Sequence, residues 1–154
     1  MVREKSCGAV IYLEKEEGRL YLLLNYAAGH WDFPKGHVEG IESEKDTVLR
    51  ELEEETGIRE VSFTGSFREV VTYFFQRRGD RVDKVVVFYL LESGEENVVL
   101  SNEHISFKWL PYIEAREKLT YGNARNLLDK AEKHLNPYPS TIMLPFITGW
   151  ILQV

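Results

Sequence analysis

The 154-residue chain holds a single cysteine, Cys7, which excludes an internal disulfide framework. That poverty fits a reducing compartment, and Cys7, set in an apolar run, reads as a small core residue of a strand rather than a nucleophile. No uncharged apolar run reaches the length of about 18 residues that a membrane-crossing helix needs. The opening Met-Val-Arg-Glu-Lys lacks the cleavage pattern of a secretory leader, so a cytoplasmic location is expected. A basic surplus is missing as well. The 19 Lys and Arg stand against 25 Asp and Glu, a formal net charge of −6, which argues against general nucleic-acid binding. It does not exclude a phosphorylated substrate, because a bound divalent cation and a few local basic groups reverse the sign where it matters. Internal repeats and low-complexity linkers are lacking too, and the length suits one domain with one sizeable core.

What is present alternates between strand and helix signals. Cys7 to Leu13 and Leu20 to Tyr26 are short runs rich in β-branched and aromatic residues, separated by a charged turn ending in Gly18, and predict a hairpin. Gly29 to Ile41, with Pro34 inside it, predicts a loop. A helix is expected from about Glu44 to Thr56, with Ser43 as N-cap and Gly57 just past its end. Phe63 to Gln76 and Val82 to Leu91 read as a second, longer hairpin. Ile105 to Leu110 reads as another strand, and Ile113 to Leu135 as one or two helical stretches broken near Tyr121-Gly122. This order suggests an α/β fold with a mixed sheet between helices over residues 1–135.

The central helix carries its charges in an odd place. Advancing about 100° per residue from Thr47 puts Val48, Leu52 and Leu49 near roughly 100°, 140° and 200°, a core-facing stripe. Glu51, Glu55 and Glu54 then fall near about 40°, 80° and 340°, directly beside that stripe rather than opposite it. Glu51 and Glu55 sit one turn apart, close enough to reach a single ion. An acidic run is usually just a solvated face. Here the acids crowd the helix C-terminus, where the macrodipole disfavours negative charge by about 0.3–1 kcal/mol each. Arg50 can pair with Glu54 at i, i+4, yet one arginine cannot neutralise three carboxylates. A cation completes such a cluster, and hard oxygen ligands of this kind suit Mg²⁺ or Mn²⁺. The loop ahead of the helix, Trp31 to His37, adds the cation of Lys35, the imidazole of His37 and the bare backbone of Gly36, whose carbonyl is a further candidate ligand.

Gly36, five residues, Glu42, seven residues, then Arg50-Glu51-Leu52-Glu53-Glu54-Glu55-Thr56-Gly57-Ile58 resembles the Nudix box at all nine of its specified positions. The resemblance implies an α/β/α sandwich and a pyrophosphohydrolase acting on a nucleoside diphosphate linked to another moiety. It implies metal ligation by Glu51, Glu54 and Glu55 with the Gly36 carbonyl, and structural roles for Glu42 and Arg50. Outside the box, the chain is similar to the asymmetrical diadenosine tetraphosphate hydrolase branch. The residues that carry this are Trp31, Pro34-Lys35-Gly36-His37-Val38, Tyr73, Lys84, Ser101-Asn102-Glu103-His104 and Trp109-Leu110. By that likeness Lys35 and His37 meet phosphates, with Lys84 as a further cation, and Glu103 lies near the metals. Either Glu54 or Glu103 is the general base. Tyr73 and Tyr121 are candidates either for holding adenine or for ordinary packing. The chain departs from the branch at Gly40-Ile41, where Pro-Gly is usual.

The activity implied is conversion of diadenosine tetraphosphate to ATP and AMP. Rivals with the same chemistry are RNA 5′ pyrophosphate removal and hydrolysis of nucleoside triphosphates or ADP-ribose. A non-catalytic Nudix-like binding module is disfavoured, because every box glutamate is kept. The segment 136–154 is charge-free and rich in large apolar residues, yet broken by Pro137, Pro139 and Pro145. It is expected to pack on its own domain or on a second copy, giving a monomer or a homodimer.

Overall fold

The computed structural model describes residues 2–137. The expected packing of the tail 136–154 therefore falls, from residue 138 onward, outside the described residues. Strand β1, Val2–Lys15, is the spine. Its residues Cys7 to Tyr12 form a continuous apolar run with both faces covered, the pattern of an inner strand. It turns through Glu16-Glu17 into β2, Gly18–Tyr26, but the hairpin pairing is short, from Tyr12↔Tyr21 to Lys15↔Gly18. Upstream, β1 runs parallel to β6, Asp80–Ser93, from Val2↔Val82 to Tyr12↔Glu92. β5, Val61–Arg77, pairs antiparallel with β6. They meet at the two-residue turn Arg78-Gly79, whose φ of 52° and 85° is the left-handed pair that such tight hairpins require. β7, His104–Leu110, lies antiparallel to β2. The sheet is mixed: with β3 as Trp31–Asp32 and β4 as Lys35–His37, the order is β3-β2-β1-β6-β5 plus β4 on β1 and β7 on β2.

Successive side chains of β1 serve two cores, as the two-residue period of a strand dictates. Cys7, Ala9 and Ile11 pack with Leu22, Leu24, Val87 and Leu91 beneath helix α1, Glu44–Thr56, through Val48 and Leu52. Val10 and Tyr12 pack on the other face with Leu23, Phe88 and Leu90 beneath α2, Tyr112–Lys118, and α3, Gly122–Leu135. α3 presents Ala124, Leu127, Leu128 and Ala131 to that core, spaced as one helical stripe. The α/β/α sandwich is as the sequence predicts, and so is the break between the two late helices.

Three expectations need correction. The segment 29–41 is not all loop. It holds β3, Trp31–Asp32, on β2, and β4, Lys35–His37, which pairs antiparallel with Ser6–Gly8 of β1. Gly8 permits this, since a Cβ there would stand 2.5 Å from the Pro34 carbonyl oxygen and 2.7 Å from the Lys35 Cβ. The hairpin Cys7 to Tyr26 is also only partly a hairpin, because most of β1 belongs to β6 and β4. Finally, Leu49 is not in the core stripe but 41% exposed. The buried arc of α1 is instead Thr47, Val48, Leu52, Glu55 and Thr56. The two threonines go inside because their hydroxyls are satisfied by the helix itself: Thr47 donates to Glu42 and the Ser43 carbonyl, Thr56 to the Leu52 carbonyl at 2.6 Å.

Candidate active site

Helix α1 starts and stops where its end residues dictate. The Ser43 hydroxyl accepts from the Asp46 N–H at 3.1 Å, and the Asp46 carboxylate accepts from the Ser43 N–H at 3.2 Å, a reciprocal cap. Gly57, left-handed at φ 75°, donates its N–H to the Glu53 carbonyl and ends the helix. The carbonyls left over at that end are taken by the loop ahead of β7. Val99 N–H donates to Thr56 and Ser101 N–H to Glu55. Satisfying the helix end thus carries Ser101, Asn102 and Glu103 to the side of Glu55.

The opposite wall is β4. Gly36 lies so close to α1 that a Cβ there would fall 1.9 Å from the Glu51 carboxyl carbon, so only glycine leaves room for that carboxylate. Arg50 ties the two walls together. Its guanidinium donates to both Glu42 oxygens at 2.6 and 3.0 Å, to the His37 carbonyl at 2.9 Å, to Glu51 at 2.9 Å and to Glu54 at 3.2 Å. Glu42 also accepts from the Glu39 N–H at 2.9 Å. The Arg50 bonds, followed by that backbone bond, hold the Glu42 carboxyl down at about 2. Both residues sit where a structural clamp between loop and helix would sit.

Between these walls lies an open cleft of about 640 Å³, lined among others by Gly36, Glu51, Glu54, Glu55 and Glu103, with Lys35, His37 and Lys84 along one side. The carboxylates differ in burial. Glu54 is exposed and Glu51 largely covered, while Glu55 is 2% exposed. Burial above all, then the charges of Glu51 and Glu103, pushes Glu55 up to about 9. Burial also raises Glu51. Behind Glu55 stands His104, whose Nε2 is 3.5 Å from Glu55 Oε1, within ion-pair reach. Burial holds that imidazole's pKa down just as it pushes the Glu55 carboxyl up, so both shifts work against an ion pair at this contact. Glu55 Oε2 and His104 Nε2 are buried with no hydrogen-bond partner among the described residues. Donor atoms of Glu55, Glu103 and His104 all lie within 4.8 Å of one another. An orphaned buried oxygen and nitrogen, a set of carboxylates and a glycine pressed onto one of them fit a divalent cation.

The cations are placed by β4 and β6. Lys35 Nζ is 3.0 Å from Asp32. Burial works against its charge, but the Asp32 carboxylate outweighs that and keeps its pKa raised. Lys84 lies inside β6, 8% exposed, with Nζ 2.9 Å from His37 Nε2 and 3.7 Å from Glu4. Burial lowers its pKa.

Lys35 and Asp32 also border a second cavity of about 640 Å³, between the sheet and the start of α3. Tyr73, Tyr121, His30, Val71 and Phe88 line it. Both tyrosines are partly exposed, so neither is core packing. A line of rings joins cavity to cleft: Tyr121 to His30 at 5.6 Å, His30 stacked on Tyr26 at 4.5 Å, and Tyr26 edge-on to His104 at 4.3 Å. Every candidate residue named from the sequence borders the cleft or the cavity, apart from Glu42 and Arg50, which clamp the cleft's walls. The sequence reading missed the part of His104, Asp32 and His30. A lone histidine at the start of a strand resembles any core histidine, and only its orphaned nitrogen distinguishes it.

A family profile described as the NUDIX domain matches residues 4–131. The chain belongs to the Nudix family. It is accordingly an enzyme, a Nudix pyrophosphohydrolase. The asymmetrical bis(5′-nucleosyl)-tetraphosphatase of Mus musculus is 30% identical over 148 residues, covering 88% of this chain and 98% of the relative. An RNA pyrophosphohydrolase of Sulfurovum sp. (strain NBC37-1) is 31% identical over 101 residues, 59% of this chain and 64% of its own. Among solved structures, a C. elegans Ap4A hydrolase binary complex superposes with a TM-score of 0.77 at 29% identity, covering 88% of this chain and 99% of that one. No described helix of this Nudix protein is long and apolar enough to cross a membrane.

Proposed function

We propose that this Nudix protein is a cytoplasmic, Mg²⁺- or Mn²⁺-dependent hydrolase of dinucleoside tetraphosphates, releasing ATP and AMP from diadenosine tetraphosphate, and acting as a monomer or homodimer. The observation that carries the reading is the pairing of two volumes. An aromatic-lined cavity meets an acidic cleft at the shared Lys35, so a nucleoside in the first sends its phosphates across a lysine into the second. The named likenesses to asymmetrical tetraphosphatases support the same substrate class.

In this reading Glu51, Glu54, Glu55 and the Gly36 carbonyl would hold the metal. A divalent ion there would supply positive charge against the phosphates and acidify a water for attack. Glu54 or Glu103 accepts that water's proton as its oxygen bonds to phosphorus and the bridging P–O bond breaks. Lys35, His37 and Lys84 offset the charge that grows on the bridging and leaving oxygens. Tyr73 and Tyr121 flank the base.

The test is a product-resolved screen with Mg²⁺ or Mn²⁺ of dinucleoside polyphosphates, deoxynucleoside triphosphates, ADP-ribose and 5′-triphosphorylated RNA. Diadenosine tetraphosphate should give the highest kcat/KM and the products ATP and AMP. Equal or higher efficiency on any other class reassigns the substrate.

A further inference from the structure

His104 has no role in the mechanism above, yet its environment is that of a ligand. Its side chain is fully buried, on the first residue of β7, and its Nδ1 lies 3.2 Å from the Ser101 hydroxyl. The other nitrogen, Nε2, lies 3.5 Å from Glu55 Oε1 and finds no hydrogen bond among the described residues, and Glu55 Oε2 is equally unpartnered there. Two buried polar atoms left unsatisfied on adjoining side chains are costly unless something satisfies them. We infer that His104 Nε2 is a nitrogen ligand in a deep subsite formed with Glu55 and Glu103, one that favours a first-row transition ion such as Mn²⁺ or Co²⁺ over Mg²⁺. The inference rests on the proposed metal-dependent reading of the cleft and adds to it the identity of a donor.

Spacing and chemistry agree. Two donors on one ion at roughly 2.1 Å each lie at most roughly 4.2 Å apart. The pair His104 Nε2 and Glu55 Oε1, at 3.5 Å, meets that limit as it stands. The full set, within 4.8 Å, closes if Glu103 moves by a fraction of an ångström, and Glu103 is exposed and free to do so. A metal-bound imidazole commonly has its other nitrogen fixed by a hydrogen bond, and here Ser101 is in place for that. Ser101 and Glu103 are themselves set by the loop that caps α1. A nitrogen donor is accepted more readily by first-row transition ions, Mn²⁺ least and Co²⁺ more, than by Mg²⁺, which prefers oxygen and retains its waters. A shell of oxygens alone would not discriminate in this way.

The test is pulsed EPR of the full chain loaded with Mn²⁺, alongside Mn²⁺ and Mg²⁺ binding by calorimetry. The wild type should show ¹⁴N modulation of one imidazole. His104→Gln should lose it, and His37→Ala, which removes the other histidine of the cleft, should keep it. In His104→Gln the Kd for Mn²⁺ should rise at least about tenfold, with Mg²⁺ affinity changing far less. Modulation absent from wild type with Mn²⁺ bound, or surviving in His104→Gln, overturns the inference. An equal loss of Mn²⁺ and Mg²⁺ affinity also overturns it, because that marks a residue that only orients Glu55. In each case Mn²⁺ binding that disappears with Glu51→Gln leaves the proposed hydrolysis standing. A wild-type protein that binds no Mn²⁺ at all sinks both.

Discussion

At the scale of single residues, position on α1 decides what each glutamate does. Glu53 faces solvent and pairs with Arg59 at 2.8 Å, whereas Glu55, two residues on, is buried. A carboxyl pushed up to about 9 in the folded chain, against an ordinary 4.5, binds its proton when folded and sheds it when unfolded. Between those values the folded state holds the extra proton, so its stability falls as pH rises from about 4.5 to about 9. The sign is opposite to that of Glu42, held at about 2, whose contribution is lost only as pH falls through that value. With metal removed by chelator, the Glu55 contribution has a slope of about 1.4 kcal/mol per pH unit inside its window, about 3–5 °C in Tm. Glu55→Gln should flatten the fall between pH 5 and 9 and stabilise the metal-free protein at pH 8, while lowering turnover with Mg²⁺ by orders of magnitude. Thermal melts across pH in EDTA check the first claim. An unchanged slope would mean the carboxyl is solvated.

Gly36 offers a sharper residue-scale test. The three nearest atoms that an added methyl would meet are in the Glu51 carboxylate, the far end of a flexible side chain, not backbone. Gly36→Ala should therefore fold with Tm within a few degrees of wild type, because Glu51 can swing aside. The displaced carboxylate should cost at least about a hundredfold in kcat. Steady-state kinetics beside a melt separates the two effects, and full activity would release Glu51 from its proposed part.

At the scale of elements, much was legible and the failures have physical causes. α1 runs from Glu44 to Thr56 as its caps predict, because Ser43, Asp46 and Gly57 act locally. The stripe was misplaced by one residue, Leu49, because hydropathy counts Thr47 and Thr56 as polar although both satisfy their hydroxyls inside the helix. The strand at Lys35–His37 was invisible for a different reason: pairing with Ser6–Gly8 is a long-range contact, and Pro-Lys-Gly is turn chemistry in any local reading. Parallel pairing of β1 with β6 is likewise beyond local signals. The box spacing, in contrast, already contained the clamp. Arg50 spans from α1 to the His37 carbonyl and Glu42, so removing it takes the guanidinium donor from Glu51, Glu54 and the His37 carbonyl and leaves Glu42 with the Thr47 hydroxyl and the Glu39 N–H alone among the described residues. Arg50→Lys keeps the charge but not the fork, and should lower Tm by several degrees and weaken metal binding about tenfold or more. Calorimetry with Mg²⁺ measures the second effect. Wild-type affinity in that variant would show that the walls hold without the clamp.

At the scale of the whole molecule, the acidic balance and the site share one logic. With a net charge of −6 and most of its cleft carboxylates close together, the bare protein carries repulsion that unfolding relieves. An ion that binds only the folded arrangement removes that repulsion and adds its own binding free energy, so stability should rise with metal concentration. At about one hundred times Kd the gain is about 2.7 kcal/mol, some 5–10 °C in Tm for a chain of this length. The same titration on the triple variant Glu51→Gln, Glu54→Gln, Glu55→Gln should be flat, and that variant should melt higher than wild type in EDTA, since the buried Glu55 carboxyl no longer has to be held protonated and the charges of Glu51 and Glu54 beside it are gone. Both halves of the expectation matter. A metal-induced shift that survives in the triple variant would place the ion elsewhere in the fold. A triple variant less stable than wild type in EDTA would mean that the Arg50 bonds to Glu51 and Glu54 outweigh the repulsion, and that the acidic cleft is held together before any ion arrives.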